Sequence, residues 1–548
     1  MTRRFTLLAA GLLVLFVCSG GLAQPPARLP EQVVVDTWPN MWLGMNNWGT
    51  LGSGINQCPP GDDVMGCEMP PGSHVQYLDC AALWIGALID DGDTRTPRVS
   101  TAADGWMNPG INEFWPSEDS QTIERSFLDT VNCAGEPIYD PNALSHHEFE
   151  MTFYDTLDEE PYVVPDYDGT PHRPLGLRIT RTVYSTFVPP CSYTYWIRYR
   201  IVNIGNNFLR NVYVGHMITS GVGRWGRTNY PAADGSDDVA GYEPTHEVAY
   251  VVDNDARDYI GSEWVWTSPH IAGLMYLLPN GSPQHPSFNW WISAIDAQFD
   301  YGPSWEDHVQ WPDTAWMRSC DAGRYFVLSN GEIDFDQVRV NDLDWIAANP
   351  QGQHTWRTPD FPLPDDLANG FDVRALYSVG PFGEDMGSYR LLLPSDSFDV
   401  WMAIVGGRNF HDSRFPQPPN GPINPDLFNW DDLFYHADIV RNGLCVPWLE
   451  AGEGRFVNVP ARFTLDPLWP NPFNARANIR FHLDRVGEVT IRAYDVLGRS
   501  ALEITRETFG VGTHTIAWNA AGMPSGLYFI EARNQHGGRA VQKAVLVK

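Results

Sequence analysis

Three short runs concentrate carboxylates among turn-forming residues: Asp90-Asp91-Gly92-Asp93, Asp234-Gly235-Ser236-Asp237-Asp238 and Asp253-Asn254-Asp255-Ala256-Arg257-Asp258. Hard oxygen ligands on loops are what Ca²⁺ requires, so Asp234, Asp237, Asp238, Asp253, Asp255 and Asp258 are candidate ligands for a structural Ca²⁺. None of the runs completes the ~12-residue loop closed by a glutamate, and solvated acidic turns are the alternative use of the same residues. His147-Glu148 and His246-Glu247 begin like the zinc-binding His-Glu-x-x-His helix, but the fifth positions are Met151 and Tyr250. Without a second imidazole one helical turn on, no zinc site of that type forms. His146, His147 and His172 remain a group that only the fold could bring together.

Other chemistry is limited by what is missing. The chain has no Gly-x-Ser-x-Gly elbow and no phosphate-cradling Gly-x-x-x-x-Gly-Lys loop. The paired carboxylates of a glycosidase are defined by their separation in space, which a sequence with 67 acidic residues does not display. Trp264 and Trp266 fall on one strand face, and Trp290, Trp291, Trp305, Trp311 and Trp316 crowd a Pro- and Asp-rich stretch. Exposed tryptophan stacks well on sugar rings, but a chain with 22 tryptophans uses most of them as core.

The elements that must position these residues follow from composition and pattern. The formal charge is −31, and among 36 basic residues only Lys543 and Lys548 are lysines. A surface this acidic repels nucleic acid and anionic lipid. Thr2-Arg3-Arg4, the apolar run Phe5 to Val17 and the small-residue site Gly21-Leu22-Ala23 read as a secretory signal peptide over residues 1–23. That run is too short for a membrane span, and no other stretch approaches the ~18 apolar residues needed. Removing it takes Cys18 and leaves Cys58, Cys67, Cys80, Cys133, Cys191, Cys320 and Cys445. In an oxidising compartment these are disulfide material, and Cys58 and Cys67, which flank Pro59-Pro60-Gly61-Asp62-Asp63, are the candidate local pair.

Residues 24–455 form the body. Gly and Pro recur at strand-and-turn spacing and helical periodicity is scarce, so the expected fold is all-β: a large β-sandwich body, as one or two sandwiches dividing near Gly221 to Gly241. Tyr193 to Ile201 alternates strictly, is followed by an Asn203-Ile204-Gly205 turn and then by Leu209 to Ile218, and reads as a hairpin. Leu175 to Phe187 reads as the neighbouring strand, giving a meander. Asn424 to Asn442 has near-helical spacing with an Asn442-Gly443 stop, and closes the body before a linker at 456–462.

Residues 463–548 are a second, smaller unit. Pro470-Asn471-Pro472-Phe473-Asn474 admits neither helix nor central strand. About seven short alternating runs separated by turn residues follow, the pattern of a small immunoglobulin-like β-sandwich. The ordered blocks Pro470 to Asn474, Ile479 to Leu483, Val489 to Arg499, Thr515 to Asn519, Pro524 to Ile530 and Lys543 to Lys548 resemble the C-terminal sorting domain of the bacterial type IX secretion system and the Ig-like module of flagellar hook-capping proteins. The resemblance covers the whole tail. Asn474-Ala475-Arg476-Ala477-Asn478 replaces the commoner Asn-Pro-Thr-Thr-Thr. Carried over block by block, it marks Pro470, Asn471, Pro472, Phe473, Asn474, Gly498, Arg499, Gly526, Tyr528, Lys543 and Lys548 as sorting-motif positions. It implies outer-membrane secretion machinery as a partner, and a secreted or cell-surface destination. More loosely, Tyr193 to Gly215, Tyr377 to Phe382 and Leu391 to Gly406 resemble a region of large exported proteins with such tails.

The function these readings favour is an exported protein whose β-sandwich body binds or coats without catalysis, with a surface glycan or polysaccharide as candidate partner. A secreted hydrolase using two acidic residues on polysaccharide is the alternative.

Overall fold

The computed structural model describes residues 32–52, 66–91, 94–103, 112–117, 121–158, 163, 171–219, 221–224, 237–260, 263–279, 282–292, 321–342, 344–345, 367–371, 373–418, 422–443, 463–465, 468–483, 487–495, 499–509, 512–534 and 539–548. The expected signal peptide and the linker at 456–462 lie outside these residues.

Thr194–Asn203 shows why the body becomes a sandwich. Tyr195, Ile197, Tyr199 and Ile201 share one face and one apolar cluster with Val212, Val214 and Met217 of Leu209–Thr219. Trp196 points the other way, into a second cluster with Leu433, Ala437 and Val440. A strand that is apolar on both faces needs cover on both. The inner cover is a second sheet; the outer cover is helix α2 (Asp431–Arg441), which supplies those three residues.

The two body sheets are antiparallel. In the eight-stranded sheet the order is Asp238–Glu243, Val248–Asp253, Ile271–Tyr276, Ser397–Gly407, Thr194–Asn203, Leu177–Ser185, His147–Asp155 and Ile123–Arg125. The ten-stranded sheet centres on Leu209–Thr219, between Ala81–Asp91 and Val373–Phe382. Strands on both sides of Gly221 to Gly241 enter both sheets, so the body is one sandwich and does not divide there. Its outer face on the ten-stranded side carries helix α1 (Asp321–Ser329). A Cβ on Gly86 would stand 2.8 Å from Leu328 Cδ1 and one on Gly215 2.8 Å from Leu328 Cδ2, so two glycines on neighbouring strands make the seat for one leucine. Burying Leu328 there contributes about 2 kcal/mol.

The expected hairpin is corrected. Leu177–Ser185 does pair with Thr194–Asn203, as the alternation implied, but Thr194–Asn203 and Leu209–Thr219 lie in different sheets. Asn203 anchors the crossing: its side-chain amide donates to Asn207 O at 2.9 Å and Leu392 O at 3.2 Å, and its carbonyl oxygen accepts from Ser395 N. The return segment from Arg390–Leu392 to Ser397–Gly407 crosses beside it. The predicted helix starts later than its apolar spacing suggested. Pro425–Leu427 is a 3-10 turn capped by Asn424, and Phe428 bridges to His411 in extended backbone before α2 begins.

Among the described residues the tail has seven strands in two sheets, as its punctuation implied. Phe463–Leu465, Arg476–Leu483 and Gly512–Asn519 form one; Ser500–Phe509, Gly487–Tyr494, Gly526–Asn534 and Arg539–Leu546 form the other, in that order. Its core is its own: Ile479, Phe481, Val489, Ile491, Trp518, Ile530 and Leu546 belong to a cluster confined to tail residues.

Candidate functional site

The sorting-motif residues fall into three places. Asn471 acts as a surrogate strand: its side-chain amide donates to Lys543 O and its side-chain oxygen accepts from Val545 N, both at 2.8 Å. Phe473 continues the pairing, donating N–H to Val545 O and accepting from Val547 N, while its ring, 2% exposed, packs 4.9 Å from Trp518. The exposed Pro470, Pro472 and Asn474 flank that anchor. The C-terminus is tied down separately: Lys548 donates its backbone N–H to Ser525 Oγ and its Nζ to Ala521 O. Tyr528, next to Gly526, donates its hydroxyl to Pro524 O at 2.8 Å. Arg499 closes a turn on Asp495 at 2.8 Å, and Gly498 lies outside the described residues.

In the body, a cavity of about 300 Å³ opens where the eight-stranded sheet, the 3-10 turn Gln337–Arg339 and the approach to α2 meet. Tyr250, Phe428 and Trp430 supply aromatic surface, and Asp336, Arg339 and Asp426 supply polar groups. A Cβ at Gly241 would fall 2.2 Å from the Tyr250 hydroxyl and 2.5 Å from Asp336 Oδ1, so the lack of a side chain there permits the tyrosine and the carboxylate to meet. Asp336 also accepts Tyr242 N at 2.8 Å, and burial raises it to about 6. Arg339 reaches Asp342 at 3.3 Å and Asp426 at 3.7 Å. Sequence reasoning missed this place because its residues are scattered over about 180 positions (Tyr250 to Trp430).

The aspartates proposed for Ca²⁺ are only partly brought together. Asp238, Asp253 and Asp258 are buried near one another, whereas Asp255 pairs with Arg257 at 3.6 Å and Asp234 lies outside the described residues. Asp237 is half-buried. Protein donors occupy most of the oxygens. Asp253 accepts from Asp255 N, Ala256 N and Ser268 Oγ; Asp238 Oδ2 accepts from Gly221 N at 2.6 Å and Val222 N at 3.0 Å; Asp258 accepts from Arg224 N. Among the described residues no group of three or more His, Cys, Asp or Glu is arranged to hold a metal ion. Gly221, Gly223 and Gly226 have the spacing of a dinucleotide loop; Gly223–Arg224 is a strand paired with Val75–Gln76, and Gly226 lies outside the described residues.

The histidines do not converge. His147 opens the strand His147–Asp155 and is held at 2.8 Å by both Asp36 and Glu124. His172 sits at the far end of that strand, between Glu113 at 3.0 Å and Asp155 at 3.3 Å. Cys67 is a free, fully buried thiol, and its expected partner Cys58 lies outside the described residues. Trp290 and Trp291 are core residues, while Trp264 is 61% exposed on the hairpin Arg257–Ile260 and Glu263–Trp266.

The tail's place in this chain is given by a family match. Residues 467–548 match the secretion system C-terminal sorting domain, the type IX tail, which directs a protein to the cell surface or into the medium. No curated protein matches the sequence. Among solved structures, a polysaccharide lyase is similar at TM-score 0.20 and 9% identity, over 96% of this chain and 47% of its own. Dimeric latent PorU from Porphyromonas gingivalis is similar at TM-score 0.15 and 9% identity, over 85% of this chain and 30% of its own. The chain thus spans less than half the length of either, and scores this low carry no argument about the body.

Proposed function

We propose that this chain is an exported cell-surface or secreted protein whose sandwich body binds or coats without catalysis, and that residues 463–548 carry it out through the type IX machinery. The single observation that supports delivery is the sorting-domain match at 467–548, on a tail with a core of its own. The non-catalytic reading of the body rests on its buried chemistry. The histidines weighed in the sequence, His147 and His172, are paired with Asp36 and Glu113 inside the sandwich, away from solvent. The domain division proposed with it is a body to about 455, a linker at 456–462 and a tail from 463.

Deleting residues 463–548 in the native host tests delivery. The truncated body accumulates in the periplasm if the tail sorts it; undiminished export of the truncated chain would end that reading.

A further inference from the structure

We propose that the cavity between Tyr250, Asp336, Arg339, Asp426, Phe428 and Trp430 is a binding site for a single neutral sugar ring. Size comes first: about 300 Å³ lies at the small end of ligand pockets, room for one ring and not for a buried chain. Lining comes second. A pyranose presents apolar C–H faces and a girdle of hydroxyls, each a donor and an acceptor. Here aromatic surface from Tyr250, Phe428 and Trp430 stands beside two carboxylate acceptors and one guanidinium donor, the combination that such a ring satisfies at once.

Charge narrows the class. Asp336, Asp342 and Asp426 surround one cation, Arg339, within a chain of net charge −31, so phosphorylated and uronic sugars are disfavoured. Preorganisation is the third argument. Asp336 is fixed by the Tyr242 N–H and the Tyr250 hydroxyl, and Phe428 is stacked 4.6 Å from Phe410. Trp430 is wedged among Tyr250, Phe410 and Phe434, with ring centroids 4.9 to 5.6 Å away. Asp426, with its side chain 83% exposed and its contact to Arg339 at 3.7 Å, is the lining group with most room to close on a ligand. The site lies wholly in the body and does not depend on the sorting role of the tail.

The test uses the full mature chain and methyl glycosides of glucose, galactose, mannose, xylose and N-acetylglucosamine, read by saturation-transfer NMR and tryptophan fluorescence. At least one glycoside is expected to bind saturably, at millimolar concentration or tighter, without being hydrolysed. Asp426→Ala, which removes an exposed side chain and leaves folding intact, is expected to weaken it about tenfold, and Trp430→Ala to abolish it. No binding of any glycoside at 50-fold excess over ~1 mM, or binding that Asp426→Ala and a folded Trp430→Ala both leave unchanged, would overturn the assignment. So would saturable binding of spermidine with none of the glycosides, since that marks a cation site. Export of the truncated chain bears on delivery alone, so the two proposals fail separately.

Discussion

Asp238 and Asp253 are register partners on adjacent antiparallel strands, and both are buried, at 0% and 1% exposure. Directly opposed side chains stand about 5 Å apart on one face, where like charges repel. Burial and the neighbouring Asp253 charge push Asp238 well above the usual carboxylate range; burial, opposed by the Ser268 bond and aided by Asp258, raises Asp253 to about 7. Among the described residues, Asp238 Oδ1 has no hydrogen-bond partner.

A pH dependence follows. The folded pair holds protons that the unfolded chain, at an ordinary value of about 3.9, has released. The stability contribution is therefore complete below that value; the Asp253 share is lost as pH rises through about 7, and Asp238, also raised, loses its share in the same direction. The melting temperature of the body falls between pH 6 and pH 8. Asp238→Asn keeps an acceptor for Gly221 and Val222, removes the repulsion, and raises stability at pH 8 by ~1–2 kcal/mol while flattening that slope. Calorimetry across the range checks both; a steeper slope in the variant contradicts the account.

The Asp238 pair also gives the calcium expectation a test. Since no described group is arranged to hold a metal, millimolar Ca²⁺ or EDTA leaves the melting temperature at pH 8 unchanged. A rise of several degrees with Ca²⁺ that Asp238→Asn abolishes would show a cation drawn to the bare oxygen.

His147 carries the same sign for a different reason, since here it is the charged form that the fold holds. Burial opposes its charge, but Asp36, with Glu124, outweighs burial and raises it to about 9. Its contribution is complete below the unfolded value of about 6.5 and disappears as pH climbs through about 9. His147→Phe strands the buried Asp36 carboxylate and costs about 3 kcal/mol at pH 7 in urea titrations, most of it recovered by adding Asp36→Asn.

Gly215→Val drives a branched side chain into Leu328 and Ser378 and costs about 2 kcal/mol or more in guanidinium unfolding. Pairing it with Leu328→Ala restores part of the loss, because the variant side chain then occupies the vacated seat. An additive double variant would count against the seat.

The tail was legible because its information is local. Pro470 to Asn474 and the turn glycines act on their own neighbourhoods, and seven strands followed. The body was legible as strands but not as a topology. Alternation in Tyr193 to Ile201 and Leu209 to Ile218 fixes which residues face inward, but Asn203 decides which sheet comes next, through bonds to Asn207 and to Leu392 far along the chain. The cavity was invisible for the same reason, since Tyr250 and Trp430 meet only after folding. Asp253 was singled out for its run of acids, yet its environment comes from Asp238 and Ser268, residues its own run does not contain.

The pairing of Thr194–Asn203 with Ser397–Gly407 sets an order of events. About 200 residues separate these strands, and both stand in the interior of the eight-stranded sheet. Contacts that distant form late and slowly. The sandwich therefore has no stable shorter version: a nascent chain that ends before Gly407 exposes Tyr195, Ile197 and Trp196 without the strand that covers their flank, so fragments of this body should aggregate or be degraded, not accumulate as partial domains.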